Sequence, residues 1–448
     1  MAGSILGNRV LRKEDPKFLT SGGKYIEDLN DEPLFAGALH VTYVRSTVAH
    51  AKITSIDLSE CKNSPGVVAV FTADDLGLEE EPSAFNPMAK RSHLAKGKVR
   101  WVGELIAAVV TQRPDQGEDA IEKAIVEYET LEPLIDVEQA MVSKTLIYEE
   151  CGSNIVMGTV EMGMPDNTGD EIFKDCEVVV KGRFMNQRVA PCPLEARGSA
   201  ATWIDGRLIQ WISTQHAQGV RTEVVKVNKV DAENVRIITP DVGGGFGAKI
   251  SAYSEELLLG NIAKHVGKAV RWRETRSESM ISLGHGRAQL QYVTIGGTKA
   301  GRVKAYQLNA IQDSGGWVEV GTVLAPFMTR PMAQGVYDIE KMECRTTSVV
   351  TNTTPIVAYR GAGRPEATAA IERAMDMFAA EIGKDPADVR RMNLIPKFDQ
   401  PHQTKIGHAY DVGDYGAALD KALAVAKYSE ARAEQAERRK RGDKVQLG

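Results

Sequence analysis

Apolar and β-branched positions gather in short runs at residues 34–44, 67–71 and 105–110, each bounded by turn residues, and these runs predict strands. Beyond Pro114 the rhythm changes. Ala120, Ile121, Ala124 and Ile125 fall on one face, with acids in the first turns, which predicts an amphipathic helix over residues 115–127. Residues 1–140 are thus expected to form a small unit of mixed helix and strand. Periodicity lapses over residues 133–170, where glycine, proline, asparagine and acids collect, including the run Met162-Gly163-Met164-Pro165-Asp166-Asn167. An interdomain connection is placed there, with the boundary near Ala140.

Further strands are predicted at 178–184, 208–213, 235–238, 270–272, 288–295 and 303–310. Two helices are predicted at 254–265, closing at Gly267, and at 365–382, with proline in its first turn and Gly383 after its last. The second carries Ala367, Ile371, Ala374, Met375, Phe378 and Ile382 as one stripe. Residues 141–448 therefore read as a large α+β domain with mixed sheets. A last helix over 415–440 is followed by Gly442-Asp443 and an apolar run from Val445, which reads as a turn entering a strand that stops mid-fold.

Composition narrows the function without naming it. With 448 residues, 43% hydrophobic and 26% charged, the chain is an ordinary globular one, large enough for two or more domains. The net charge of -5 is dispersed, and the basic run Arg438-Arg439-Lys440-Arg441 reads as a solvated helix end, so nucleic acid is not an expected partner. Cys61, Cys151, Cys176, Cys192 and Cys344 are odd in number and widely spaced. They support neither a disulfide framework nor an iron-sulfur or zinc site. No signal core and no membrane-length apolar run is seen, so a cytoplasmic location is expected.

Three segments hold candidate chemistry. Asp241-Val242-Gly243-Gly244-Gly245-Phe246-Gly247-Ala248-Lys249 lies between a predicted strand and a predicted helix, where glycine lets backbone N–H groups approach an anionic ligand. Its spacing fits neither the Walker loop nor the dinucleotide fingerprint. A structural turn and a nucleotide loop are the competing readings. Ala358-Tyr359-Arg360-Gly361-Ala362-Gly363-Arg364 opens a helix with two guanidinium groups, suited to an oxyanion or to tying the loop to a carboxylate. Trp211-Ile212-Ser213-Thr214-Gln215-His216 ends a strand with an amide that both donates and accepts, while His216 reads as a packed or solvated histidine before it reads as a base.

Together these segments resemble the large, cofactor-carrying subunits of molybdenum hydroxylases of the xanthine dehydrogenase, aldehyde oxidase and aerobic carbon monoxide dehydrogenase type. The resemblance extends from Gly7-Asn8-Arg9 over nearly the whole chain. It is reinforced in order by Val102-Gly103-Glu104, Asn186-Gln187-Arg188-Val189-Ala190-Pro191, Leu194-Glu195-Ala196-Arg197-Gly198, Thr351-Asn352-Thr353-Thr354-Pro355 and Arg390-Arg391-Met392-Asn393-Leu394. It implies an α/β hammerhead domain over 1–140 and the first part of a molybdopterin-binding domain over 141–448. The molybdenum would be held by the pterin rather than by His or Cys side chains. By the same resemblance Gln215 bonds an oxo ligand. Gly244, Gly245, Phe246 and Gly247 form the loop beside the metal, and Arg360, Gly361, Ala362 and Gly363 the loop facing the substrate and cofactor.

The implied reaction hydroxylates an aldehyde or aromatic N-heterocycle with oxygen from water, electrons leaving through [2Fe-2S] and FAD on partner subunits. The nucleotide form of the pterin stays open, the cytosine dinucleotide being one form. The family's catalytic base, a glutamate later in the subunit, has no counterpart before Gly448, so a second chain completing the site, or a truncation, is expected. Carbon monoxide oxidisers carry a copper-binding cysteine where this loop reads Gly361, so carbon monoxide is not the expected substrate; purine oxidisers carry a glutamate near the glutamine-bearing and glycine loops, whereas this chain has Ile250 just after Lys249, which favours an aldehyde or N-heterocycle. A non-catalytic assembly remnant of such a subunit is the alternative.

Overall fold

The computed structural model describes residues 7–158 and 165–447. Its largest sheet has seven strands, in the order Val235–Ile238, Arg207–Ile212, Gly198–Ile204, Val270–Arg273, Leu39–Arg45, Leu105–Thr111 and Val67–Phe71. Strands from both sides of Ala140 therefore share one sheet, joined where Leu39–Arg45 runs parallel to Val270–Arg273. Leu105–Thr111 is buried along its whole length. Alternate side chains point to opposite faces of a strand. Ala108 and Val110 accordingly enter one core and Ala107 and Val109 another, while a register shift opposite Val44 and Arg45 breaks the alternation, so that Leu105 joins the first core and Ile106 the second.

A second sheet of five strands is ordered Val178–Asn186, Gln289–Gly297, Val303–Gly315, Lys341–Val350 and Ile155–Gly158. The helix Arg364–Glu381 lays its stripe of Ala370, Ile371, Ala374, Met375 and Phe378 against it, all buried, as the apolar spacing predicts. The architecture is α+β with mixed sheets. Among the described residues no helix is long and apolar enough to cross a membrane.

Several expectations need correction. The helix predicted over 115–127 spans Pro114–Ile121 only, and Ile125–Thr130 is a strand. It pairs with the unpredicted strand Ala51–Asp57, Tyr128 opposite Ile53 and Val126 opposite Ile56, so the β-branched and aromatic positions follow a partner some seventy residues away rather than the helix before them. The strand predicted from Leu34 starts at Leu39, because Pro33–Phe35 is a 3-10 turn that sets Phe35 edge-on to Trp211. The helix predicted over 254–265 is interrupted at Leu258 into Ser254–Leu257 and Leu259–Val266, and ends at left-handed Gly267.

The last helix is two, Tyr415–Val425 and Tyr428–Arg441, separated at left-handed Lys427. Tyr428 and Arg432 fasten the second to Asp385. Among the described residues no strand follows Gly442. Gln435 and Arg438 donate instead to the carbonyls of Leu447 and Val445. Of the connecting run expected at Met162–Asn167, residues 162–164 lie outside the described residues, and Asn167 is held against the five-stranded sheet by Asn309. The strands Gly198–Ile204 and Lys341–Val350 and the helices Ala217–Asn228 and Val320–Met332 were not foreseen. Two prolines inside Val320–Met332 disguise its helical pattern.

Candidate functional site

Arg207–Ile212 and Val235–Ile238 are parallel neighbours, so the segments leaving their C-terminal ends emerge at one sheet edge. The first carries Gln215 and the second the glycine loop of residues 241–249. They lock together at once: the amide N–H of Gln215 donates to the Lys249 carbonyl at 2.8 Å, and Thr214 Oγ1 donates to the same oxygen at 2.8 Å. The Gln215 Oε1 accepts from the N–H groups of Gly247, at 2.8 Å, and Lys249, at 3.4 Å. With the oxygen so occupied, the side-chain orientation is fixed, and the Nε2 donor is left without a partner among the described residues.

Glycine is required at two of these positions by space. A Cβ on Gly245 would stand 2.4 Å from Gln215 Oε1, and one on Gly247 would stand 2.6 Å from the carbonyl oxygen of Ala358. Gly247 also has φ +101°, a left-handed conformation open to glycine. Phe246 between them is left-handed as well, at φ 55°, and 41% exposed. Its carbonyl accepts from Arg360 N–H at 2.9 Å, and the Arg360 guanidinium stands 6.0 Å from its ring centroid. The second loop is thus fastened to the first, with a guanidinium that forms no ion pair among the described residues.

Beneath this surface lies a charged foundation. Lys249 Nζ, almost wholly buried, donates to the Glu195 carboxylate at 3.0 Å, to the Glu195 carbonyl at 2.9 Å and to Ser213 at 3.0 Å. Glu195 also receives the Gly243 N–H at 2.8 Å. Burial pulls the Lys249 ammonium below its ordinary pKa, and the Glu195 carboxylate opposes that pull. Two residues on, the fully buried Arg197 binds Glu274 at 2.5 Å and Glu255 at 3.2 Å and stacks 4.0 Å from the centroid of Tyr253. Arg45 binds Glu255 from the other side at 2.9 Å.

The structure brings Gln215, Gly245, Phe246, Gly247 and Arg360 onto one face, while the rest of the second loop turns inward. Ala362 and Gly363 are buried, and a Cβ on Gly363 would meet the Ala325 carbonyl at 2.1 Å. Gly361 packs over Pro365, and Gly244 lies beside Pro193 and the Phe246 ring. Arg364 folds back onto the Gly361 carbonyl at 3.0 Å. The helix start suited to an oxyanion is already taken, because buried Glu366 accepts the Gly363 N–H at 2.8 Å. His216 sits at the N-terminus of Ala217–Asn228 with its ring over Gly219.

Sequence reasoning assigned no role to Glu195, Lys249 or Arg287. Arg287 donates to the carbonyls of Tyr359, at 3.1 Å, and Arg360, at 2.6 Å, and so holds the second loop from below. No local pattern marks it, since its partners lie some seventy residues away. The donors displayed at the surface are amide and guanidinium groups, a set suited to an anionic group that brings its own metal ligands.

The sequence profile of the molybdopterin cofactor-binding domain matches residues 147–394, and that of the aldehyde oxidase and xanthine dehydrogenase a/b hammerhead domain matches residues 20–132. The nicotine 6-hydroxylase large subunit of Paenarthrobacter nicotinovorans is 32% identical, over 99% of this chain and 55% of its own length. The carbon monoxide dehydrogenase large chain of Hydrogenophaga pseudoflava is 32% identical, over 96% of this chain and 55% of its own. The crystal structure of quinoline 2-oxidoreductase from Pseudomonas putida 86 superposes with a TM-score of 0.87 and 31% identity, covering 98% of this chain and 56% of that one. The chain thus spans a little over half the length of these relatives.

Proposed function

The chain belongs to the molybdenum hydroxylases of the aldehyde oxidase and xanthine dehydrogenase family, and on that premise we propose that it supplies the Gln215 face of a molybdenum-pterin site hydroxylating an aldehyde or aromatic N-heterocycle. The observation that carries this reading is the fixed orientation of Gln215, whose oxygen is held by Gly247 and Lys249 and whose Nε2 donor is free at the glycine loop. In the proposed site Gln215 Nε2 would donate to an acceptor on the bound molybdenum-pterin group, Gly244 to Gly247 would let the backbone come close to it, and Arg360 would supply a positive charge beside it. When bound, the molybdenum-pterin group supplies two-electron oxidation with water as the oxygen source. Phe246 and Arg360, exposed on the same face, orient the substrate and keep bulk water from it. Gly361, without a side chain, offers no copper ligand, which supports an organic substrate over carbon monoxide.

The remainder of the site, including the base, is assigned to residues beyond this span, on the same polypeptide or on a second one. Electrons leave through iron-sulfur and FAD subunits of a cytoplasmic complex, and the pterin takes a dinucleotide form such as the cytosine one. The division of the chain near Ala140 into hammerhead and molybdopterin-binding parts belongs to this proposal. The test is the molybdenum and pterin content of the native complex, with the masses of all chains that co-purify. Stoichiometric metal and pterin, with iron-sulfur and flavin chains present, is the expected result. Neither metal nor pterin would favour a non-catalytic assembly protein.

A further inference from the structure

Next to the two loops lies a cavity of about 300 Å³, at the small end of ligand sites, which run on the order of 300–1,000 Å³. Ser251, Ala252 and Tyr253, just past Lys249, form one wall together with Val357, the neighbour of Ala358. Trp101 and Trp317 form the opposite side, both nearly buried, with the Arg91 guanidinium 5.4 and 4.7 Å from their ring centroids.

The charges around this space do not cancel. Lys226 is paired with Glu81 at 2.7 Å, and Glu255 is spoken for by Arg45 and Arg197. Three carboxyls remain. Glu223 receives the Ala252 N–H at 2.9 Å, and Glu319 the Trp317 indole N–H at 2.9 Å and the Val320 backbone N–H; neither forms an ion pair among the described residues. Glu104 is 2% exposed, its nearest guanidinium, on Arg100, is 4.0 Å away, and its Oε1 has no hydrogen-bond partner. Against these three stands Arg91, stacked on the two indoles and in ion-pair contact with none of them.

We propose that this cavity receives the substrate as an aromatic ring bearing a cationic or N–H-donating head, an amine or amidine class of compound, with the head at Glu223 and Glu319 and the ring against Trp317. This names a substrate class within the function proposed above and rests on that reading. An anionic head would add to carboxyls already short of cationic partners, whereas a cationic donor offers Glu223 and Glu319 the counter-charge they lack. Indole faces favour a flat, positively charged ring. Burial pushes the Glu223 carboxyl up to about 7, with the neighbouring Glu319 adding to the rise, and burial raises Glu319 against the pull of Arg91 and Glu104 against the pull of Arg100, so a bound cation would draw these acids back toward their charged form.

The test is calorimetric titration of the native complex with three compounds of one shape: benzamidine, benzamide and benzoate. Benzamidine is expected to bind on the order of tenfold tighter than either, a preference of about 1.4 kcal/mol. Glu223→Gln and Glu319→Gln, which keep shape and remove charge, are each expected to erase most of that preference while leaving benzamide unchanged. Benzoate binding as tightly as benzamidine, or full amidine preference in both variants, overturns the proposal. If one variant unfolds on heating below the parent, the other decides. Binding is read without turnover, so the two readings fail separately. A metal-free complex that prefers benzamidine sinks the function and spares the site; a molybdenum-loaded one indifferent to head charge does the reverse.

Discussion

The surface around Gln215 rests on backbone, with glycines where side chains would collide and one amide clamped by two N–H groups, and adds the exposed side chains of Phe246 and Arg360. The cavity beside it is made of side chains, two indoles and three carboxyls gathered from segments far apart in sequence, two of which, Glu223 and Glu319, form no ion pair among the described residues. Backbone amides cannot change identity by mutation, so the first region suits a task that must stay fixed, such as seating one cofactor. Side chains change freely, so the second suits a task that varies, such as choosing a substrate. The two share a foundation, since Arg197 grips Glu255 and stacks on Tyr253 at the cavity while Glu195, two residues before it, holds Gly243 of the loop.

Removing that foundation should have the largest effect. Arg197→Met leaves Glu274 buried without its guanidinium and Glu255 with Arg45 alone, and loss of one partner from a buried ion cluster costs about 3–5 kcal/mol. Urea denaturation should report that loss, and the metal content and benzamidine affinity of the native complex should fall together. Retention of either one would show the two regions to be independent.

Gly247→Ala separates them. Its Cβ meets the Ala358 carbonyl in a left-handed backbone, a strain of about 1–3 kcal/mol. Molybdenum and pterin content should fall while benzamidine affinity holds. Gln215→Glu goes finer still, keeping shape at an exposed position but replacing the Nε2 donor with a carboxylate oxygen. The melting temperature should hardly move, whereas turnover of the loaded complex should drop on the order of 10²-fold, the usual cost of one preorganised donor.

The smallest effect is a pH dependence in the foundation. Glu256 is pushed up to about 8 from its ordinary 4.5 by burial, against the pull of Arg197. The folded chain therefore keeps a proton that the unfolded chain has lost, so this contribution is greatest below pH 4.5 and declines as pH rises through 8. Glu255 does the opposite: burial would raise it, but Arg197 and Arg45 hold it down to about 2, so its contribution is full above 4.5 and lost as pH falls toward 2. Denaturation midpoints at pH 6 and pH 9 should differ less in Glu256→Gln than in the parent.

Much of this site could be read from residue order. The loop at 241–249, the loop at 358–364 and the amide at Gln215 lie in short contiguous motifs, and their glycines announce backbone that must come close to something. The helix Arg364–Glu381 was legible for the same reason, since its apolar stripe and its closing glycine are local signals. The inward turn of Gly363 and the capping of that helix by Glu366 were not legible, because glycine reports closeness without saying to what.

By itself, then, the sequence determined which segments carry the glycine loops, which helices present an apolar face, and that the chain has the make-up of a globular α+β protein with family motifs in order. Tertiary structure alone decided that Ile125–Thr130 is a strand, that strands from both sides of Ala140 close into one sheet, and that Arg287 supports a loop seventy residues away. It alone assembled Glu104, Glu223 and Glu319 around one space. The physical reason is range. Periodicity and turn chemistry act over a few residues, whereas strand pairing, ion pairing and cavity walls are settled between segments that meet only after the chain has folded.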